Sequence, residues 1–149
     1  MEENFSELGR VAAIAKLFEG SGYKPFEDAS FEAGAKEQVV NASRVLLEGI
    51  DFDLTYFPLK HLGYKSVIAA TGELYASLAR PKTLAVTLGI SAKLDYVHIS
   101  ELFGGIVTAA KEHGYKKIAL DLMPSRNGLT VVVSANGATS KLTATRRPQ

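Results

Sequence analysis

Residues 47–76 read LEGIDFDLTYFPLKHLGYKSVIAATGELYA, and this run contains two different hydrophobic patterns that meet at Pro58. Before the proline, apolar side chains alternate with polar ones, which is typical of a half-buried β-strand. After the proline, apolar side chains recur every three or four positions as far as Leu78, which predicts a long helix. Proline itself is favoured in the first turn of a helix. We therefore expect a strand over residues 45–56 that is followed directly by a helix.

The sequence on either side of this run contains further segments with the same two periodicities. In chain order, the predicted elements are a helix at 5–18, a loop at 21–36, strands at 37–43 and 45–56, a helix at 58–78, a strand at 83–90, a helix capped by Asp95 or Ser100 and stopped by Gly114, and strands at 117–123 and 129–135. Helices that return over a mostly antiparallel sheet form an α+β architecture. We expect a four-stranded mixed sheet with two long helices on one face.

The composition is that of one globular domain with no electrostatic bias. The chain has 149 residues, and its 17 basic and 16 acidic side chains leave a net charge of +1. This balance does not predict nucleic-acid binding. The apolar stretches are too short to span a membrane, no signal-peptide pattern is present, and cysteine is absent. We expect a single cytoplasmic domain over residues 1–149, with a flexible tail at 138–149 and no membrane partner.

The run at 47–76 resembles the thiamine-monophosphate kinases of the aminoimidazole-ribonucleotide (AIR) synthetase superfamily. In that family the corresponding segments read roughly D-L-L-V-E-G-x-H-F and P-x-x-L-G-Y-K-A-V-x-V-N-x-S-D-I-Y-A-M. Weaker similarity extends from about Glu27 to Gly137. The resemblance implies the fold of the family's nucleotide-binding N-terminal half without its C-terminal domain, and it implies sheets that pair in a dimer.

The family motifs that hold magnesium and ATP are partly replaced in this chain. The motif G-D-D-A-A-V falls on residues 26–31, where Phe26 replaces the glycine, Glu27 replaces the first aspartate and Asp28 is kept. The motif T-T-D falls on residues 42–44, so that Arg44 stands in place of an aspartate. By resemblance, these positions belong to a degenerate cofactor-binding site.

Two further motifs complete that site. The motif N-x-S-D-I-Y-A falls on residues 70–76 within one position, with Glu73 in place of the aspartate. The motif G-G-D-T falls on residues 119–122, where Asp121 is kept but Ala119 and Leu120 replace the glycines. The resemblance implies that Asp28 and Asp121 would be the metal ligands if magnesium and ATP were still bound.

The replacements act against binding of that kind. A guanidinium repels a dication and pairs bidentately with carboxylates, so we expect Arg44 to form a salt bridge with Asp28, Glu73 or Asp121. The side chains of Ala119 and Leu120 would occupy space that glycines leave open for phosphates. We therefore expect no cofactor.

Three functions are compatible with these features. The first is a non-catalytic dimeric binding or regulatory module. The second is an ATP- and magnesium-binding subunit of a phosphotransferase of the thiamine-monophosphate kinase type, and the third is a partner that forms a heterodimer with a full-length family enzyme. For the homodimer, the sequence predicts an interface on an apolar open face of the sheet. The residues expected on that face are Val40, Ile50, Phe52, Leu54, Leu88 and Val132.

Other conspicuous residues have structural interpretations. Asp51 and Asp53 alternate with apolar residues and are expected on the solvated face of a strand. Gly104-Gly105 lies inside a helical pattern and lacks a following Gly-Lys-Ser, so it predicts close helix packing rather than a phosphate loop.

Overall fold

The computed structural model describes residues 7–54 and 58–140, which form three helices and one four-stranded sheet. The sheet has the strand order β1-β4-β2-β3, in which β2 and β3 are parallel and the other two pairs are antiparallel. This arrangement confirms the predicted α+β fold with a mixed sheet. The elements are α1 (Glu7–Phe18), β1 (Glu37–Leu47), α2 (Leu59–Ala76), β2 (Arg80–Ile90), α3 (Tyr96–Glu112), β3 (Lys117–Pro124) and β4 (Thr130–Ser140).

The two long helices α2 and α3 cover one face of the sheet and form the core with it. Leu74 of α2 and Ile106 of α3 are fully buried, as are Leu84 and Val133 on the covered face of the sheet. Helix α1 packs against α3 and β3, where the rings of Phe18 and Phe103 lie 4.9 Å apart. The core therefore lies between the sheet and the helical layer.

Glycine residues allow α2 and α3 to approach until their backbones touch. A Cβ atom added to Gly63 would overlap the backbone carbonyl oxygen of Leu102, and one added to Gly105 would overlap that of Lys60. Gly104, one position earlier in α3, has no neighbouring atom within 4 Å of the same point. The predicted role of Gly104-Gly105 in helix packing is thus confirmed, and Gly105 is the residue that performs it.

The strand predicted over residues 45–56 is wrong for residues 48–54, where the chain turns instead, while residues 55–56 lie outside the described part of the chain. Gly49 adopts a φ of 88°, and its N–H donates to the carbonyl of Phe52 at 2.8 Å. Asp51 accepts a hydrogen bond from the N–H of Leu47 at 2.7 Å and so closes this turn. Asp51 and Asp53 therefore lie in a loop rather than on a strand face, because a local carboxylate bond competes with extension of the strand.

The open face of the sheet differs from the predicted one. Val40 and Leu88 point toward the helices, while Ile50, Phe52 and Leu54 follow the end of β1. Of the six apolar residues expected on this face, Val132 is the one that the strand register places there. The face is mixed in character. Near the end of β1 it carries Val45, Leu47, Val132 and Met123 together with the polar Thr87, Thr130 and Asp121. Toward the start of β1 it carries Val39 together with Asn41, Ser43, Ser134 and Asn136.

Two findings concern the ends and the surface of the chain. Strand β4 continues through Ser140, so residues 138–140 belong to the sheet rather than to the expected tail. Residues 141–149 and 55–57 lie outside the described part of the chain. Within that part, none of the helices combines the length and the apolar character required to cross a bilayer.

The glycine contact predicts that an added methyl group has opposite effects at two adjacent positions. We expect Gly105→Ala to lower the free energy of unfolding by about 2 kcal/mol, because the methyl group meets immovable backbone. Gly104→Ala is the matched control, and it should raise stability by about 0.5–1 kcal/mol through helix propensity. Urea denaturation of the two variants measures this difference, and equal stabilities would contradict the backbone contact.

Candidate functional site

The expected site residues fall into two groups on opposite faces of the sheet. Arg44 pairs in register with the fully buried Val133 and therefore extends along the face that the helices cover. There its guanidinium lies 2.5 Å from the carboxylate of Glu73 on α2. Glu73 is one of the three acids expected to form a salt bridge with Arg44, so the structure brings these two expected site residues together.

The Arg44–Glu73 ion pair is partly open to solvent. The two side chains are 46% and 45% exposed, because β1 is an edge strand and its outer part is not fully covered by α2. An ion pair in such a position contributes roughly 0.2–1 kcal/mol to stability. The pair therefore matters less for stability than for charge, because the guanidinium of Arg44 and the carboxylate of Glu73 neutralise each other.

Asp28 belongs to the second group, on the open side of the sheet. Its carboxylate accepts hydrogen bonds from the hydroxyl and the N–H of Ser30, at 2.6 and 3.1 Å, and from the ammonium of Lys117 at 3.3 Å. These bonds, with that of the Ser30 hydroxyl first, lower the pKa of Asp28 below its usual value. The neighbouring Ala29 carbonyl accepts from the hydroxyl of Thr83 at 2.5 Å. The loop between α1 and β1 is thereby fastened across the start of β2 and β3.

Asp121 also faces the open side of the sheet, but it lies farther along β3. It pairs in register with Thr87 and is exposed. Asp121 lies four positions after Lys117, which corresponds to about 13 Å of strand. Glu27 is exposed beside Asp28 in the loop. Across residues 7–54 and 58–140, no three His, Asp or Glu side chains lie close enough together to hold a metal ion. Asp28 and Asp121 therefore belong to no such group among these residues.

The two glycine replacements on β3 have different effects. Leu120 points to the helical side and packs against the core, so it leaves the open face unobstructed. Ala119 lies on the open face beside Ala85. Because alternate residues of a strand face opposite sides, the two side chains lie on different faces of the sheet and do not fill one common space.

Lys117 is a site residue that the sequence analysis missed. It is the cation that holds Asp28, although 89 residues separate the two along the chain. Its basic side chain at the start of a strand carries no local signal of this role, since the contact depends on where the loop crosses the sheet.

Phe26 occupies a backbone conformation that suits glycine. Its φ is 64°, in the left-handed region, and its side chain is 58% exposed. The resembling family has glycine in this place, so the structure keeps the glycine-like turn while the sequence supplies a side chain. A left-handed conformation costs a residue with a Cβ atom about 1–2 kcal/mol.

This strain predicts an order of stability among variants of Phe26. We expect Phe26→Gly to exceed Phe26→Ala in free energy of unfolding by about 1 kcal/mol, because alanine retains the left-handed strain and glycine does not. Thermal and urea denaturation of the two variants test the prediction. An alanine variant as stable as the glycine variant would mean that the loop does not adopt this conformation in solution.

The fold and the positions of these residues define a class: an α+β domain with the fold of the AIR synthetase superfamily N-terminal half. No protein-family model matches the sequence. The thiamine-monophosphate kinase of Synechococcus elongatus is 26% identical over an alignment of 141 residues, and the alignment covers 91% of this chain and 42% of the kinase. The chain thus spans about two-fifths of the length of this curated relative.

Solved structures share the fold. The thiamine-monophosphate kinase of Stenotrophomonas maltophilia aligns with a TM-score of 0.63 and 24% identity over 78% of this chain and 36% of the kinase. AaThiL in complex with AMPPCP and TMP aligns with a TM-score of 0.66 and 20% identity, over 91% of this chain and 43% of AaThiL. HypE of E. coli aligns with a TM-score of 0.66 and 14% identity, over 85% of this chain and 42% of HypE. The resemblance found in the sequence is confirmed by these relatives.

Proposed function

We propose that this chain is a non-catalytic binding or regulatory module related to thiamine-monophosphate kinases. The observation that carries the proposal is the ion pair between Arg44 and Glu73, at 2.5 Å. A magnesium ion at this position would have to displace a guanidinium that is covalently part of the protein. The pair therefore substitutes for a metal–carboxylate contact and leaves no net charge to attract a dication.

Asp28, the aspartate kept from the first motif, is also paired with groups of the protein. Asp28 accepts from Lys117 and from Ser30, so its carboxylate already has protein donors. Magnesium needs several oxygen ligands at about 2.1 Å from one point, and phosphoryl transfer needs that ion to bridge phosphate oxygens. Acids divided between two faces of a sheet do not meet this requirement. This distribution favours a binding role over catalysis.

The alternative is an ATP- and magnesium-binding subunit, and one observation favours it: Asp121 is exposed on the open face, and AaThiL, with the same fold, is solved with AMPPCP. A thermal shift experiment with magnesium and ATP separates the two functions. A ligand at about one hundred times its Kd stabilises the native state by about 2.7 kcal/mol, which raises Tm by several degrees.

We expect no rise in Tm for this chain, and a clear rise for a full-length thiamine-monophosphate kinase measured in parallel. A magnesium-dependent rise that Asp121→Asn abolishes would contradict the proposal and support the nucleotide-binding subunit.

We further propose that the module acts as a homodimer in the cytoplasm, with the end of the open face that carries Val45, Val132 and Met123 as the interface. Val45 and Met123 are 54% and 43% exposed there, and Val45 pairs in register with Val132. Exposed apolar side chains grouped on one surface indicate an interaction site. A second copy related by a two-fold axis would bring the same side chains together on both subunits. Partner binding also occurs within the superfamily fold, since HypE forms a complex with HypF.

The interface predicts an oligomeric state that one charge can change. We expect a dimer in light scattering at micromolar concentration, and a monomer for Val45→Lys, because the ammonium would be buried against apolar side chains. Val97→Lys is the matched control, since Val97 is 63% exposed on α3, away from the open face. A wild-type monomer would contradict the homodimer. If that monomer bound a full-length family enzyme through Val45, a heterodimer would replace the homodimer as the proposed assembly.

A further inference from the structure

A cavity of about 400 Å³ lies at the end of the sheet remote from Asp28. None of the residues assigned to the degenerate magnesium and ATP motifs lines it, although Glu48 and Gly49 fall on the E-G of the motif that follows Arg44. It forms where the chain leaves β1, where it leaves β2, and where the loop between β3 and β4 passes. Its volume is at the small end of the range for metabolite-binding pockets. The residues that line it are Glu48, Gly49, Ser91, Lys93, Arg126, Asn127 and Gly128.

One lining group is a buried hydroxyl without a protein partner. Ser91 is 8% exposed, and its Oγ atom makes no hydrogen bond to any residue in the described part of the chain. Leaving a buried polar group unsatisfied costs about 1–3 kcal/mol. Buried hydroxyls are otherwise almost always paired, so an unpaired one on a cavity wall indicates a binding group.

The charged groups of the cavity present more donors than acceptors. The carboxylate of Glu48 accepts from the ammonium of Lys93 at 2.8 Å and from the N–H of Leu129 at 2.8 Å, one bond on each oxygen. These two bonds, with that of Lys93 first, lower the pKa of Glu48 and keep it ionised. Asp53 acts on Glu48 in the opposite direction and is the last of the causes. Lys93 retains two further N–H donors, and the guanidinium of Arg126 carries five.

The loop that carries Arg126 is held in place by the same carboxylate. Gly128 has a φ of 99°, and a Cβ atom there would come within 2.7 Å of the Glu48 oxygen. Glycine therefore lets the loop close against Glu48, and the bond from the Leu129 N–H fixes it. The donors of the cavity are thus positioned before any ligand arrives, which reduces the entropic cost of binding.

We propose that this cavity binds a small molecule through an oxyanion, either a carboxylate or a phosphate group. Arg126 and Lys93 supply charged donors, and the Ser91 hydroxyl supplies the buried one. Planar guanidinium groups bind both kinds of oxyanion through paired N–H bonds. The cavity leaves room for the body of a small metabolite beyond its anionic group, so it is a ligand site and not only an ion site.

Titration of the full ¹⁵N-labelled chain with inorganic phosphate, and separately with acetate, tests the proposal at constant ionic strength. We expect saturable chemical-shift changes at Ser91 and at residues 126–129 with at least one anion in the millimolar range. Tighter binding of phosphate assigns a phosphate-bearing ligand, and tighter binding of acetate assigns a carboxylate. If neither anion gives saturable shifts at these residues, the proposal is overturned.

Variants separate a binding role from a structural one. We expect Arg126→Gln to weaken anion binding about tenfold through loss of a charged donor. Arg80→Gln, at the other end of β2, is the matched control and should bind as the wild type does. Ser91→Ala should also weaken binding without lowering Tm, because the hydroxyl has no partner to lose. A Ser91→Ala variant that binds normally, or an Arg80→Gln variant as weak as Arg126→Gln, would rule the site out.

Discussion

The contact between the backbones of α2 and α3 at Gly63 and Gly105 determines how the helical layer covers the sheet. Because neither glycine has a side chain, each helix lies directly against a carbonyl of the other. This close approach keeps the two helices over the central strands, where Leu84 and Val133 are fully buried. The same layer leaves edge strand β1 incompletely covered. Arg44 on this strand is therefore partly exposed to solvent and forms an ion pair with Glu73. The position of the ion pair is thus a consequence of the helix packing.

The sequence predicted most of the fold because the long elements have strong periodicity. The predicted helix at 58–78 and the predicted strand at 83–90 match α2 and β2 within a few residues. The error at residues 45–56 has a specific cause. Alternation of apolar and polar residues continues through Asp51 and Asp53, but Gly49 turns the chain and the Asp51 carboxylate bonds the Leu47 N–H. A local hydrogen bond outweighed a periodic pattern, and pattern analysis does not detect such a bond.

The contact between Arg44 and Glu73 was predictable from the sequence, but the face of the sheet on which each expected site residue lies was not. Family motifs identified Arg44 as the residue that departs most from the metal-binding pattern, and the structure pairs it with one expected acid. Which side of the sheet each residue faces depends on strand register, since a shift by one position reverses every side chain. For that reason the sequence grouped Arg44 with Asp28 and Asp121, which lie on the other side. The partner of Asp28, Lys117, comes from a strand 89 residues later, beyond the range of local patterns.

The strand order limits how much of the sheet can fold while the chain is still being synthesised. The last of the described strands, β4, occupies an inner position between β1 and β2, so that Glu37 pairs with Ser140, which is distant in the sequence. Before β4 has left the ribosome, β1 has no neighbour to pair with, and the exposed edge of β2 is also unpaired. The pair of β2 and β3 can form earlier, but the complete sheet requires residues up to 140 and contacts that are distant in sequence. Such topologies fold slowly, and the nascent chain depends on its helices for early structure.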